Sequence, residues 1–269
     1  MSCRTPKLGQ LGLVFVVWLM LLSGQTGAQD TGTLKLYMNY LPHRLTETSG
    51  KQYDLFLNVA LSGRLAQVPR GAAPLNRARA LFLSDTASCL FPTNVMGLDA
   101  GDQSTTLIAS QPVDIVSLRV YTTGNGASFT SLEDFDPHRV GYIEGSGSIH
   151  GLPNAEKFYP IPSEEQLIEM LSLGRLDAFL GHHPDTALAL EELGKPDVLR
   201  VSPITLHNMS LPISFVCHDN EPGRAFIAAV NTRITDLQKS GQIRSILGVH
   251  AELPANGTGQ EEKPEDMIR

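Results

Sequence analysis

The sequence predicts an α/β fold built on mostly parallel sheets. Strand-like segments alternate along the chain with segments whose apolar residues have helical spacing. Such alternation is typical of proteins whose helices cover the faces of a sheet. The chain has 269 residues, 42% of them hydrophobic, which is enough apolar material for one large core or two ordinary ones. It contains no internal repeat.

Charge and composition exclude several classes of protein. A net charge of -7 and an isoelectric point near 5.6 leave no basic surface for nucleic acid. Charged residues make up only 18% of the chain, and no sequence period dominates. Collagen, coiled coil and wholesale disorder are therefore excluded.

The first 28 residues have the pattern of a cleaved signal peptide. Arg4 and Lys7 precede an apolar run over residues 11–22, and Thr26 and Ala28 supply small residues before the expected cut. A membrane anchor is the alternative, but a span needs about 20 apolar residues. We therefore expect a periplasmic mature chain of 241 residues, which is 269 minus 28. Loss of the two basic residues takes its net charge from -7 to -9.

Two cysteines remain after cleavage. Cys3 leaves with the signal peptide, and Cys89 and Cys217 both lie in apolar, strand-like runs. An oxidising compartment favours a disulfide between them. Two buried free thiols are the alternative.

The strand and helix patterns can be placed in order along the mature chain. Its first half predicts strands over 33–40, around Cys89, over 112–121 and over 139–143, with helices over 53–61 and 75–83. Its second half predicts strands over 176–180 and 211–217, with helices after Ser163 and over 185–193 and 223–239. The segment 251–269 is rich in Pro, Gly and Glu, and we expect it to form a flexible acidic tail.

The helix after Ser163 carries the clearest local signals. Ser163 and Gln166 form the pattern of a capping box. Gly174 is well placed to end the helix in a left-handed turn.

A glycine-rich turn follows the strand over 139–143. Gly145, Ser146 and Gly147 are placed to open a helix, whose backbone N–H groups would form a site for an anion or a polar ligand. A plain strand-to-helix turn is the alternative. A dinucleotide site is not predicted, because the next glycine, Gly151, comes one position late.

No pattern indicates an enzyme, a cofactor or a metal site. The chain has no nucleophile elbow, phosphate-binding loop or His-Glu-x-x-His motif. His182 and His183 are adjacent on a strand and should point in opposite directions, which makes them poor joint metal ligands. The spacing does not select a third ligand; the other candidates are His43, His150, His207 and His218. The acid pairs at 164–165 and 191–192 are interpreted as solvated helix faces.

Several short motifs resemble one known family when they are taken in order. Residues 174–178 (GRLDA) are similar to the Gly-Arg-x-Asp-Ala entry to a strand in periplasmic solute-binding proteins of the family-3 type, a class that includes polar amino-acid receptors. Residues 132–146, 237–247 and 74–80 resemble further passages of that family. The resemblance extends over nearly the whole mature chain, which would be a divergent member.

The resemblance implies a two-lobed α/β protein with helices on both faces of its sheets. Two strands, near 112–118 and 211–214, would cross between the lobes as hinges. Lobe 1 would hold residues 29–112 and 214–250, and lobe 2 residues 113–213. Both cysteines would then lie on neighbouring strands of lobe 1, which favours the disulfide. The implied function is closure around a small molecule by a monomeric substrate-binding component of an ABC-type transporter, with an inner-membrane permease or sensor protein as a further partner.

Two departures from the family pattern concern the ligand. Met96 stands where amino-acid receptors carry an Arg for the carboxylate, and His182 stands where they carry an Asp for the amine. A free α-amino acid would lose both charge-assisted contacts. We therefore expect a ligand other than a standard α-amino acid, either neutral, aromatic or weakly acidic, or no transport ligand at all.

The resemblance also places residues at the cleft by their position in the fold. They are Tyr40, Phe91, Thr93, Gly145, Ser146, Ser148 and His182. For Tyr40 and Phe91 the alternative is a place in the core, and His182 could instead satisfy a backbone carbonyl. Two other functions stay open at this point. One is an accessory or sensor module that binds a partner protein, and the other is a dehydratase-like enzyme that would need Asp185 as its acid or base.

Overall fold

The computed structural model describes Met1 and residues 33–47, 50–98, 106–123, 129–204, 206 and 209–254. The predicted signal peptide, His207 and the predicted tail beyond residue 254 lie outside these ranges. The described residues from 33 to 254 belong to one compact unit. No helix in the described part of the chain is long and apolar enough to span a membrane.

The described chain alternates between strands and helices, as the sequence predicts. The strands are β1 (Lys35–Asn39), β2 (Arg70–Ala73), β3 (Ser88–Thr93), β4 (Leu107–Ala109), β5 (Asp114–Thr123), β6 (Val140–Ile143), β7 (Tyr159–Ile161), β8 (Ala178–His183), β9 (Leu199–Val201) and β10 (Ser210–His218). The helices are α1 (Gln52–Ala60), α2 (Leu75–Ser84), α3 (Val95–Leu98), α4 (Glu164–Ser172), α5 (Asp185–Glu192), α6 (Glu221–Lys239) and α7 (Gln242–Leu247). The sequence missed β2, β4, β7 and β9, which have only three or four residues and too little apolar or alternating pattern to stand out.

The strands form one mixed sheet in the order β2-β1-β3-β10-β5-β8-β6-β7. Pairing is parallel within each end of this order, between β1 and its neighbours β2 and β3, and between β6 and its neighbours β7 and β8. The two central strands β5 and β10 run antiparallel to each other and to the strands beside them. Two parallel halves are thus joined through an antiparallel centre.

Each half of the sheet has its own hydrophobic core. Leu36 and Met38 of β1 face α1 and α6, whereas Tyr37 between them faces α2. Helices therefore cover both faces of the first half of the sheet. In the second half, Phe179 faces α4 and α5, while Ala178 and Leu180 face a core closed by loops. The fold therefore has two lobes. Lobe 1 contains β1–β4, α1–α3, α6 and α7, and lobe 2 contains β6–β9, α4 and α5.

The central strands pass from one core to the other. Val116 of β5 packs in the core of lobe 1, and Leu118, two residues later on the same face, packs in the core of lobe 2. β10 pairs with β5 through Ser210 to Ile213 and with β3 from Ser214 onward. Both strands therefore connect the lobes, at the positions that the family resemblance implies.

The segment after α7 adds a third contact with this crossing region. Ile115 N donates to Glu252 O at 2.7 Å, and the Glu252 carboxylate accepts from Ser117 Oγ and Arg119 Nη2, both at 2.5 Å. Ala251 is buried. Residues 251–254 therefore pack against β5, which differs from the fraying that composition predicted from residue 251.

A disulfide joins the sheet strands of lobe 1. Cys89 of β3 and Cys217 of β10 lie directly opposite each other in the register, are fully buried and are bonded to one another. The bridge links residues 128 positions apart. The predicted disulfide is confirmed.

Candidate functional site

A cleft of about 660 Å³ lies between the lobes. Asn39, Thr93 and Ile143 line it from the carboxyl ends of three parallel-paired strands, β1, β3 and β6. Ligands of open α/β sheets bind outside this end of the strands. Its volume falls in the range of sites for small molecules, about 300–1,000 Å³.

The wall contributed by lobe 1 is largely apolar. Tyr40 follows β1 and is 43% exposed, and Met96 on α3 is 69% exposed. Thr93 lines the same wall at the end of β3. The structure thus places Tyr40 and Thr93 on the cleft, and Met96 beside them. The remaining aliphatic and proline residues of the cleft are Leu41, Pro42, Pro74, Leu75, Leu90, Pro92, Leu98, Val116, Ile143, Pro162, Met209, Leu211 and Ile213.

Phe91 does not line the cleft, and the expectation that it contacts a ligand is wrong. Its ring is fully buried in the core of lobe 1, stacked on Phe215 at a centroid distance of 4.3 Å. Successive residues of a strand point to opposite faces. Leu90 and Pro92 therefore face the cleft, and Phe91 between them faces the core.

The wall contributed by lobe 2 carries a hydrogen-bonded cluster, which we call the Ser–His cluster: Ser146, Ser148 and His182. Ser148 Oγ lies 2.7 Å from His182 Nε2 and 2.6 Å from Ser146 Oγ, and Ser146 Oγ lies 3.4 Å from the same ring nitrogen. Burial lowers the pKa of His182, opposed by the nearby charge of Asp185. The imidazole is therefore neutral near pH 7, and the cluster presents uncharged donors and acceptors.

Gly145 brings the turn that carries this cluster close to lobe 1. Its φ is +83°, and a Cβ at this position would lie 3.0 Å from Asn76 Oδ1 on α2. Glycine is thus required both for the backbone conformation and for the close approach. The turn that follows is a three-residue 3₁₀ segment (Gly147–Ile149), so the helix predicted to open here does not form.

Arg44 is a cleft residue that sequence reasoning missed. It is fully buried; its Nη2 donates to Asp114, its Nε donates to Gln52 Oε1 at 3.3 Å, and its guanidinium lies 3.8 Å above the centre of the Tyr53 ring. Its Nη1 has no hydrogen-bond partner among the described residues and lies 3.9 Å from Asp185 Oδ2. The sequence shows only an arginine in a polar turn, which gave no signal of burial.

Two acids at helix starts complete the wall of lobe 2. Glu164 is the first residue of α4 and Asp185 the first of α5, and both line the cleft. Burial and the charge of Asp185 raise the pKa of Glu164 to about 8, although Thr186 Oγ1 donates to its carboxyl group at 3.2 Å. Glu164 is therefore mostly protonated near pH 7. The interpretation of this residue as part of a solvated face is wrong.

No metal site is formed by the residues that the structure describes. His182 faces the cleft, whereas the His183 ring lies 6.2 Å from that of His250, beside the segment after α7. The two adjacent histidines thus point in different directions, as expected for neighbours on a strand.

Comparison with solved structures shows the fold. The chain is similar to an amino-acid ABC transporter substrate-binding protein from Streptococcus pneumoniae bound to L-arginine, with a TM-score of 0.60 and 16% identity over 81% of this chain and 94% of that one. It is also similar to the GluR0 ligand-binding core from Nostoc punctiforme in complex with L-glutamate, with a TM-score of 0.61 and 13% identity over 80% and 97%.

A third similar structure is a histidine kinase sensor domain with similarity to periplasmic binding proteins. Its TM-score is 0.65 and its identity 13%, over 82% of this chain and 98% of that one. No protein-family model and no curated protein matches the chain. The chain therefore has the two-lobed fold of the periplasmic binding proteins, at an identity that shows the fold alone.

Proposed function

We propose that the chain is an exported solute-binding protein that closes its two lobes around a small molecule. Lobe 1 is assigned residues 29–112 and 214–250, lobe 2 residues 113–213, and β5 and β10 act as the hinge. The observation that carries the proposal is the cleft itself, in which the apolar wall of lobe 1 faces the uncharged Ser–His cluster of lobe 2. Sites for small molecules combine largely apolar walls with a few placed polar groups.

The chemistry of the cleft supports a ligand other than a standard α-amino acid. Met96 and His182 line the cleft at the two positions where the family's charged anchors stand, and neither is charged near neutral pH. The arginines on the wall are held by the protein: Arg79 donates to Leu98 O at 3.2 Å, and Arg44 pairs with Asp114 while its Nη1, which has no hydrogen-bond partner among the described residues, lies 3.9 Å from Asp185 Oδ2. A neutral, aromatic or weakly acidic molecule fits these surroundings better than a zwitterion.

One polar acceptor on the wall of lobe 1 fits such a ligand. Asn39 Nδ2 donates to Pro92 O at 2.8 Å, while its Oδ1 has no hydrogen-bond partner among the described residues. A ligand that donates a hydrogen bond to a buried acceptor of this kind stabilises the complex. A ligand with a hydroxyl or amide N–H would satisfy it.

The role in the cell follows from export and from the fold. After cleavage of residues 1–28, a monomeric periplasmic protein would deliver its ligand to the permease of an ABC-type transporter. The similarity to a transporter substrate-binding protein supports this assignment.

A sensor or accessory role is the second candidate function. The similarity to a histidine kinase sensor domain favours it specifically, because that structure has the highest TM-score of those compared above. In this role, a partner protein rather than a permease would bind the closed form.

A thermal-shift screen of residues 29–269 tests the proposed function. The library contains amino acids, organic and aromatic acids, sugars and other neutral molecules. We expect stabilisation by uncharged or weakly acidic compounds that is lost in His182→Ala and kept in His138→Ala, which changes an exposed histidine of lobe 2. Stabilisation by standard amino acids would contradict the assignment of ligand class, and a silent library would favour the partner-binding role.

A further inference from the structure

Six ionisable side chains face each other along one edge of the cleft, with the basic and acidic ones segregated by lobe. The basic members are on lobe 1, in the turn after β1 and just before α1: His43, Arg44 and Lys51. The acidic members are on α4 and α5 of lobe 2: Glu165, Asp185 and Glu192. Every described ion pair within this set joins one lobe to the other.

His43 lies at the centre of the set. Its Nδ1 is 3.0 Å from Glu192 Oε2, and its Nε2 is 3.3 Å from Glu165 Oε1. The imidazole is 4% exposed, whereas the two carboxylates are 43% and 46% exposed. The ring of lobe 1 is thus inserted between two helices of lobe 2.

Lys51 and Arg44 extend the contact on either side. Lys51 Nζ pairs closely with Glu192, which therefore has two basic partners. Arg44 Nη1 faces Asp185 at 3.9 Å, and Asp114 holds the other end of the guanidinium at the start of β5. The contacts thus run from the rim of the cleft to the base of the hinge.

The lobes also meet at the turn that carries the Ser–His cluster. α3 of lobe 1 contacts the Gly147–Ile149 turn of lobe 2, and Gly145 lies against Asn76. These contacts are uncharged. Ion pairs between the lobes therefore lie at the edge formed by His43, Arg44 and Lys51, and at a second contact in which His250 Nε2, after α7, lies 2.7 Å from Glu191 Oε1 on α5.

We propose that these six residues form an interlobe clasp that regulates opening of the cleft. Attraction between opposite charges on the two lobes favours the closed form. The charges of each pair move apart when the hinge opens. Salt weakens the attraction between exposed charges strongly and that between buried charges much less. The exposed pairs of the clasp should therefore weaken as ionic strength rises, which shifts the equilibrium toward the open form. The clasp rests on the hinge of the proposed function, but not on the identity of any ligand.

Solution scattering of the protein alone tests the clasp. Glu192→Lys places a positive charge beside His43 and Lys51, and we expect a larger radius of gyration than in the wild type. Lys51→Glu combined with Glu192→Lys restores one pair with its signs exchanged and should recover part of the compaction. Asp177→Lys is the matched control, because it makes the same charge change in an ion pair with Arg139 that lies within lobe 2.

The radius of gyration of the wild type should increase as ionic strength rises. That of Glu192→Lys should increase less, because its pairs with His43 and Lys51 are already lost. An unchanged radius in Glu192→Lys, or equal expansion in Asp177→Lys, would overturn the clasp. A radius that stays fixed in every variant and at every salt concentration would also contradict the hinge. Because no ligand is added, failure to find one in the screen leaves this test intact.

Discussion

Two ionisable residues on the lobe 2 wall of the cleft, His182 and Glu164, are uncharged near neutral pH, and burial is the common cause. Burial lowers the pKa of His182 and raises that of Glu164, so that one loses its proton and the other keeps it. Both groups thereby avoid an uncompensated charge in a poorly solvated site. Their neutrality is the residue-level basis of the proposed preference for a ligand without strong charges.

The protonation of Glu164 makes stability depend on pH. Its folded-state pKa of about 8 exceeds the unfolded value of 4.5, so the folded chain holds one more proton between these values. Stability should then fall as pH rises from about 5 to about 8, by at most about 1.4 kcal/mol per pH unit. Glu164→Gln replaces the titratable carboxyl group with a neutral amide and should flatten this dependence of stability on pH.

Chemical denaturation at a series of pH values measures the effect. Glu169→Gln, at an exposed position of the same helix, should keep the wild-type slope. Equal slopes for Glu164→Gln and the wild type would show that Glu164 is ionised in the folded protein.

Residues of the site differ in how far the sequence could predict them. Ser146, Ser148 and His182 follow from a turn pattern and a family position, which fix where the backbone carries them. Phe91 was misplaced because family position identifies the end of a strand, while the strand's period decides the face. Arg44 and Glu164 could not be predicted, since the groups that interact with them in the fold, Asp114 and Asp185, are distant along the chain.

At the scale of elements, α4 and α5 direct their N-termini at the cleft. Each positions an acidic residue there, and α4 is held by its cap, because Ser163 Oγ accepts from Gln166 N at 3.3 Å. This cap and the left-handed Gly174 (φ +66°) were both predicted. Local signals of this kind are fixed by neighbours in sequence, which is why they were predictable.

Loss of the Ser163 cap should destabilise α4. We expect Ser163→Ala to lower the free energy of unfolding by about 1 kcal/mol, because one backbone N–H at the helix start loses its acceptor. Ser172→Ala is the control at the opposite end of the helix, where the hydroxyl donates to Ile168 O at 2.7 Å. Urea denaturation compares the two; a loss in Ser172→Ala as large as that in Ser163→Ala would contradict a specific role for the cap.

Pairing between distant strands was harder to predict than the strands themselves. Most of the longer strands were evident from alternation, yet their order in the sheet depends on contacts over long sequence separations. The family resemblance implied only that the two cysteine strands are neighbours, and the Cys89–Cys217 bridge between β3 and β10 confirms that pair.

At the scale of the whole molecule, two cores on a shared sheet enclose the cleft between them, and β5 and β10 form the proposed hinge. β5 and β10 are the continuous connections between the lobes, and the Glu252 segment braces β5 where it leaves lobe 1. The proposed ligand site and the clasp both span the two lobes across one cleft. Binding at the Ser–His cluster and closure at His43 should therefore favour one another.

Calorimetric titration of a compound from the screen tests the central claim, that the cleft between the lobes binds a small molecule. We predict one binding site per chain and about tenfold weaker binding in Ser148→Ala, equivalent to the loss of about 1.4 kcal/mol from one hydrogen-bonding group. Ser172→Ala should bind as the wild type does. Equal affinity in Ser148→Ala and the wild type would place the ligand outside the cleft and contradict the account.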